Sequence, residues 1–292
     1  MKIETIRLRN FKAFRKVDLT DLPNFLVVVG ANGAGKTTLF EVFGFLHDSL
    51  RGNVRSALDK RGRFREVLSK GCDPEKDSIQ IEIQYRMEIT GKERLVTYLV
   101  EIAEVNGQPV VLREVLRYKR GRHGKPFHFL DFALGEGYAI VNEEDFTKSE
   151  EELERENQKV SSDALAIKGL GQFERFKAAN AFRQLIEHWH VSDFHISAAR
   201  GRKDASDDSE HLSESGDNLP LVARTLYEQH PALFRHILDA MARRVPGVTS
   251  VEPMLMPDGY LTLQFQDGSF KTPFLDRYVS DGTIKMFAYL VL

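Results

Sequence analysis

The stretch Gly30-Ala31-Asn32-Gly33-Ala34-Gly35-Lys36-Thr37 fits the spacing G-x-x-x-x-G-K-[ST], and it constrains this chain more than any other feature. Glycines at these positions let the backbone curl with its N–H groups inward around a phosphate, and a helix that follows adds free amides and a positive dipole end. Such a loop belongs between a strand and a helix. Phe25-Leu26-Val27-Val28-Val29 is an apolar, β-branched run of the kind a fully buried strand needs. After the loop, Thr38 to Leu46 carries apolar residues at helical spacing. The expected roles follow from the side chains. Asn32, Gly33, Ala34 and Gly35 form the cradle, and Lys36 reaches the β- and γ-phosphates as a point charge. The Thr37 hydroxyl ligates Mg²⁺, and Thr38 supports the α-phosphate.

The 292 residues suffice for one large domain or two modest ones. No apolar window is long enough to span a bilayer, and Met1-Lys2-Ile3-Glu4 lacks a signal-peptide core, so a cytoplasmic protein without membrane partners is expected. The single cysteine, Cys72, has no internal disulfide partner. A net charge of −2 leaves nucleic-acid binding to local patches.

Ahead of the loop, Ile3, Ile6, Leu8, Phe11, Phe14, Val17 and Leu19 alternate with charged residues, which predicts two strands joined near Lys12-Ala13-Phe14. From 47 to 76 the chain is polar and basic, with Arg51, Arg55, Lys60, Arg61, Arg63, Arg65 and Lys70. It reads as a solvated helix and loop rather than a nucleic-acid surface. An antiparallel meander follows: Ile79 to Tyr85 alternates strictly, Arg94 to Ile102 is a second strand, and Asn106-Gly107 turns into Pro109 to Leu112. Glu114 to Tyr118 then leads to a basic tip at Lys119-Arg120-Gly121-Arg122-His123-Gly124-Lys125, which reads as a solvated hairpin end, with a nucleic-acid contact as the lesser alternative.

Residues 142 to 160 are acidic and predict an exposed helix or loop, too short and without the heptads of a coiled-coil arm. Phe173 to Trp189 predicts a helix, His190 to Ser197 a strand, and Gly201 to Asn218 a loop. His188, His190 and His195 lack a fixed geometry for a metal and read as ordinary histidines. Helices at Leu221 to Glu228 and Pro231 to Arg244 precede short strands with turns at Asp258-Gly259 and Asp267-Gly268. Finally, Val279-Ser280-Asp281-Gly282-Thr283 opens a helix with Ile284, Phe287, Ala288 and Val291 on one face.

The opening Leu8-Arg9-Asn10-Phe11-Lys12 followed by G-A-N-G-A-G-K-T resembles the ABC-type ATPases of the RecF and SMC class, closest to the RecF-like predicted ATPases of the AAA family. Gly216-Asp217-Asn218-Leu219 resembles their G-x-N-L step, and S-D-G-T resembles their form of the ABC signature sequence. The resemblance implies an α/β P-loop NTPase fold, an ABC ATPase head with an antiparallel β lobe and a helical lobe. It places Lys12 near the bound nucleotide. It has Ser280 and the Gly282 amide meet the γ-phosphate of a partner protomer, making ATP the glue of a head-to-tail homodimer.

In that family an apolar strand ending in Asp-Glu, the Walker B pair, should come next, whereas this sequence stops at Leu292 within the signature helix. Phe127-His128-Phe129-Leu130-Asp131 lacks the second acid and precedes the signature, so it is no substitute. The expectation is a single incomplete ABC-type domain over 1–292. It comprises N-terminal strands and P-loop at 1–50, a β-rich lobe at 78–141, a helical and insertion region at 142–278 and the signature helix at 279–292. This chain alone is not expected to hydrolyse ATP. In a complete protein, ATP- and Mg²⁺-driven dimerisation would switch a DNA-directed or effector-directed activity, in DNA repair or antiphage defence. The alternative is a non-hydrolysing assembly module for a nuclease or toxin subunit. For the Q-loop glutamine, Gln80, Gln84 and Gln172 stand as open candidates.

Overall fold

The alternating N-terminus folds as a hairpin, β1 (Lys2–Phe11) and β2 (Phe14–Leu19), with Phe11 opposite Phe14. Asn10 and Lys12 hold left-handed backbones, with φ of 56° and 49°, a conformation that asparagine tolerates better than most residues. The Asn10 amide donates to the Ser78 carbonyl at 2.9 Å and its oxygen accepts from Cys72 Sγ at 3.4 Å. The asparagine of the N-F-K turn is thus a fastener, tying the hairpin to the segment ahead of the meander.

The computed structural model describes residues 2–89, 91–119, 125–141, 148–149, 152–189, 196–200, 203–204, 209–213 and 215–292. They divide into two compact units, residues 1–189 and 190–292.

In the first unit, α1 (Lys36–Arg51) buries Leu39, Val42, Phe45, Leu46 and Leu50, and Phe11 of the hairpin meets Phe45 with ring centroids 6.0 Å apart. A capping box opens α2 (Val54–Asp59): Ser56 N–H donates to Asn53 Oδ1 at 2.8 Å, and Asn53 N–H donates to Ser56 Oγ at 3.1 Å. The basic run continues through α3 (Phe64–Val67). Most of its cations are paired, Lys60 and Arg61 each 2.7 Å from Asp48, Arg65 3.2 Å from Glu104 and Lys70 2.7 Å from Glu66.

The meander is larger than its sequence suggests. Strands β3 (Ile79–Ile89), β4 (Lys92–Val105), β5 (Gln108–Tyr118), β6 (Phe127–Ala133), β7 (Glu136–Ile140) and β8 (Arg155–Lys159) join the hairpin in an eight-stranded antiparallel sheet, ordered β2-β1-β3-β4-β5-β6-β7-β8. Asn106 and Gly107 both have positive φ, 53° and 71°, as a two-residue hairpin turn requires. The two strands expected at 109–112 and 114–118 are one strand, whose pairing with β4 shifts register between Glu101 and Ile102. Within the acidic segment, Arg155–Lys159 is an edge strand rather than a helix or loop. Its charged, exposed side chains blunt an edge that would otherwise pair with other chains. Residues 142–147 and 150–151 of that segment lie outside the described residues, as do 120–124 of the basic tip.

One face of this sheet is apolar, with Ile79, Ile81, Ile83, Tyr85, Met87 and Ile89 all buried. Against it lie α1, α2 and two helices absent from or displaced in the sequence reading, α4 (Ala166–Leu170) and α5 (Lys177–Glu187). The helix expected from Phe173 begins at Lys177, leaving Phe173 half exposed. Phe182 of α5 stacks on Tyr85 and meets Tyr98 at a tilt of 42°, with centroids 4.7 and 4.3 Å away.

In the second unit, α6 (Ile196–Ala199) occupies the end of the segment read as a strand, and residues 190–195 lie outside the described residues. A small sheet pairs β10 (Val248–Leu255), β11 (Tyr260–Asp267) and β12 (Phe274–Leu275) in that order, with β9 (Lys203–Asp204) also on β11. Helices α7 (Leu219–Gln229), α8 (Pro231–Arg244) and α9 (Asp281–Val291) share a core with it in which Phe287 meets Phe234 and Phe265, centroids 6.3 and 5.9 Å apart. Among the described residues no helix is long and apolar enough to cross a membrane, and no cluster of His, Cys, Asp or Glu is arranged to hold a metal ion.

Candidate nucleotide site and signature turn

The loop that dominates the sequence opens α1. Gly35 is its N-cap in the left-handed region, φ 86° and ψ 9°, and Gly33 has φ 82°. Both conformations favour glycine. A side chain on Gly35 would also strike Phe14, whose Cε1 lies 2.7 Å from the position of a β-carbon there. The first-turn amides of α1 have no acceptor inside the helix, and this end carries the positive pole of a sixteen-residue dipole. Lys36 Nζ donates to the carbonyls of Gly30 at 2.9 Å and Ala31 at 2.8 Å. Its ammonium therefore already lies inside the curl of the loop. Asn32, Gly33, Ala34 and Thr37 are exposed, and Thr38 is buried.

Lys12, at the tip of the β1–β2 hairpin, is brought to α1, where its ammonium pairs with Glu41 one turn beyond Thr37. Its N–H donates to Val67 O at 2.7 Å, so the hairpin tip is held on both sides. The residues suit a nucleotide triphosphate with Mg²⁺: a glycine cradle, free helix amides, one inward cation and an exposed hydroxyl.

One expectation fails here. Phe25–Val29 is not a buried strand: among the described residues it carries no ladder, Phe25 is 82 % and Val29 85 % exposed, and only Val28 packs on the core. The run has strand composition but no neighbouring strand to take its N–H and C=O groups, and a lone strand gains nothing over solvated chain.

In the second unit, Ser280 N-caps α9. Its Oγ accepts from Thr283 N–H at 3.2 Å and lies 2.8 Å from Thr283 Oγ1. A β-carbon on Gly282 would meet nothing within 4 Å, so the first turn is open on that side. Arg200, which the sequence reading missed, donates through Nη2 to Val279 O at 2.5 Å and pairs with Asp281 Oδ1 at 2.7 Å. Asp276, in the 3-10 turn before α9, is buried, and its Oδ2 has no partner among the described residues. Burial pushes its carboxyl above the usual range, against hydrogen bonds from the Arg277 amide and Thr262 and the fields of Arg200 and Arg277.

The G-x-N-L step also acquires a role. Asn218 Oδ1 accepts from Ser213 N–H at 2.7 Å, and Nδ2 donates to Ser209 Oγ at 2.6 Å and His211 O at 2.9 Å, stitching the preceding loop to the start of α7. Asp217 is held down to about 2 by hydrogen bonds from Lys203 and then Ser213. Of the three histidines, His188 bonds the Gln184 carbonyl at 2.6 Å, while His190 and His195 lie outside the described residues. Asp131, the rejected acid, pairs with Arg113 at 3.1 Å and His128 at 2.9 Å. At the base of the basic tip a cavity of about 410 Å³ is lined by Gln84, Arg94, Thr97, Arg117, Tyr118 and Lys119.

This fold is that of a P-loop ATPase head of the SMC type. Its backbone aligns with a structure described as the SMC head bound to the C-terminal winged-helix domain of ScpA, with a TM-score of 0.52, 15 % identity and coverage of 100 % of this chain and 76 % of that one. Residues 1–212 match the AAA ATPase domain family, and the chain belongs to it. Curated relatives are the DNA replication and repair proteins RecF of Clavibacter michiganensis, 28 % identical over 120 residues, and of Lactococcus lactis strain MG1363, 28 % identical over 148 residues. These alignments cover 40 % and 48 % of this chain but only 27 % and 40 % of the relatives' lengths. A third RecF, from Arthrobacter, is 46 % identical over 46 residues, 16 % of this chain and 12 % of its own.

Proposed function

We propose that the chain is the nucleotide-binding head of an ATPase that holds Mg²⁺-ATP on the loop Gly30–Thr37 and is driven by it into a head-to-tail homodimer. The observation that carries this reading is the inward Lys36 ammonium within a left-handed glycine cradle at the N-terminus of α1. Bound there, ATP supplies the γ-phosphate and Mg²⁺ offsets its charge. Lys36, which now donates to two backbone carbonyls, would donate to phosphate oxygens instead, the first-turn amides of α1 would donate to the remaining oxygens, and the Thr37 hydroxyl would be a ligand of the metal. Lys12 adds a second cation beside the first turns of α1, restrained by Glu41.

Ser280 and the amides opening α9 form the second anion site, serving the nucleotide of the partner protomer. The dimer switches a DNA-directed activity of the kind carried out in repair or antiphage defence. Arg94 and Lys119, which line the cavity at the base of the basic tip beside Glu93, would be its cationic contacts. A nuclease or toxin subunit is the further partner this arrangement would regulate.

The test is sedimentation of the chain with and without Mg²⁺ and a non-hydrolysable ATP analogue, beside the Ser280→Arg variant. A nucleotide-dependent doubling of mass that the variant loses is the expected result. Nucleotide binding with unchanged mass would overturn the sandwich.

A further inference from the structure

The signature turn is not held by its helix alone. Val279 O, immediately before the N-cap, and the Asp281 carboxylate, immediately after it, both lie on the same nitrogen of Arg200, at 2.5 and 2.7 Å. Ser280, between them, has φ −63° and ψ 150°, and its carbonyl accepts from Thr283 N–H and Ile284 N–H at 3.1 Å each. The amides of Asp281 and Gly282 are the ones left without an acceptor in the helix. The Arg200 side chain is about three-quarters buried, with Nε shielded and unpartnered, whereas Asp281 is 66 % exposed. The clamp therefore reaches outward from a largely buried base to a surface turn.

We propose that Arg200 is the positioning residue of the signature turn: by fixing the carbonyl before Ser280 and the carboxylate after it, it holds the Ser280 hydroxyl and the Asp281 and Gly282 amides as one anion-accepting surface. This rests on the reading of that turn as the partner-nucleotide site. The guanidinium also offsets the Asp281 carboxylate, which would otherwise repel an arriving phosphate from the mouth of the site. Arg200 need not touch the anion to do either.

Two readouts test this on the full chain. Amide hydrogen exchange at Thr283 and Ile284, the two amides bonded to Ser280 O, should be about tenfold or more faster in Arg200→Ala than in the native chain, as loss of charge-assisted hydrogen bonds implies. Arg200→Lys, which keeps a cationic donor, should recover part of that protection. With Mg²⁺ and the non-hydrolysable ATP analogue, Arg200→Ala should weaken dimerisation by about tenfold while the affinity of the Gly30–Thr37 loop for the analogue stays constant. A merely structural arginine would lower the melting temperature without that split.

Unchanged exchange at these two amides, or an unchanged dimer constant, would overturn the proposal. If the native chain shows no nucleotide-dependent dimer, the sandwich reading fails by itself, and the exchange rates still decide whether Arg200 fixes the turn. Should Arg200→Ala not fold, Asp281→Ala removes one arm of the clamp from the exposed side. Faster exchange there supports the proposal and native exchange contradicts it.

Discussion

The ring of Phe14 fills the space that a side chain on Gly35 would need, with Cε1 and Cζ 2.7 and 2.9 Å from the position of a β-carbon there. The N-terminal hairpin is in this way a wall of the phosphate loop, and Gly35 is held to glycine twice, by φ of 86° and by the ring. Gly35→Ala should lower stability by about 1–2 kcal/mol for the left-handed backbone, with the displaced ring adding to it. Differential scanning calorimetry and analogue binding measure both losses. Adding Phe14→Ala should relieve the contact but not the backbone strain, so the double variant should recover only part.

Glu114 sits in the core of the first unit, fully buried, accepting from Ala166 N–H at 2.5 Å, Ile167 N–H at 3.2 Å and Tyr98 OH at 3.0 Å. Burial raises its pKa from 4.5 to about 7, against these three hydrogen bonds. Between those values the folded chain keeps a proton that the unfolded chain has released, so stability falls as pH rises through the window, by roughly 3 kcal/mol in all. Glu114→Gln should flatten that slope and be less stable than the native chain near pH 5, where a neutral carboxyl already suits the core. The native and variant curves should converge or cross toward pH 8. Asp276, whose carboxyl is also raised by burial, contributes the same sign in both proteins, so the difference between the curves isolates Glu114. Parallel melting curves across this range would contradict the account.

Asn218 closes three hydrogen bonds with the loop ahead of α7. Asn218→Ala should destabilise the second unit by about 1–3 kcal/mol, the range for leaving half-buried donors and acceptors unsatisfied. Loop protection at Ser213 should fall in hydrogen exchange while the first unit keeps its protection. Equal protection at Ser213 would show that the asparagine is not the fastener.

Much of this architecture is legible in local chemistry. Asn106-Gly107 specifies a turn by its need for two positive φ values, and Ile79 to Tyr85 specifies a half-buried strand by alternation. The glycine spacing at 30–37 and the Ser280 cap also carry their geometry in their residue types. What stays illegible depends on neighbours. Phe25–Val29 has the composition of a core strand and lies exposed, since composition reports affinity for a core and not the presence of a paired strand. Arg155–Lys159 is a strand with no apolar face, made so only by its pairing with β7. Arg200 and Glu114 are ordinary charged residues until the chain brings Val279 and Ala166 to them, at sequence separations of 79 and 52.

The measurement that bears most directly on the central claim is the affinity of a fluorescent ATP analogue for the native chain and for Lys36→Ala, with and without Mg²⁺. Among the described residues Lys36 Nζ bonds carbonyls of its own loop alone, so the variant should fold and melt as the native chain does. Binding should be abolished in Lys36→Ala and should depend on Mg²⁺ in the native chain. Near-native affinity in a folded Lys36→Ala would show that the loop Gly30–Thr37 does not hold the nucleotide, and the account built on it would fall.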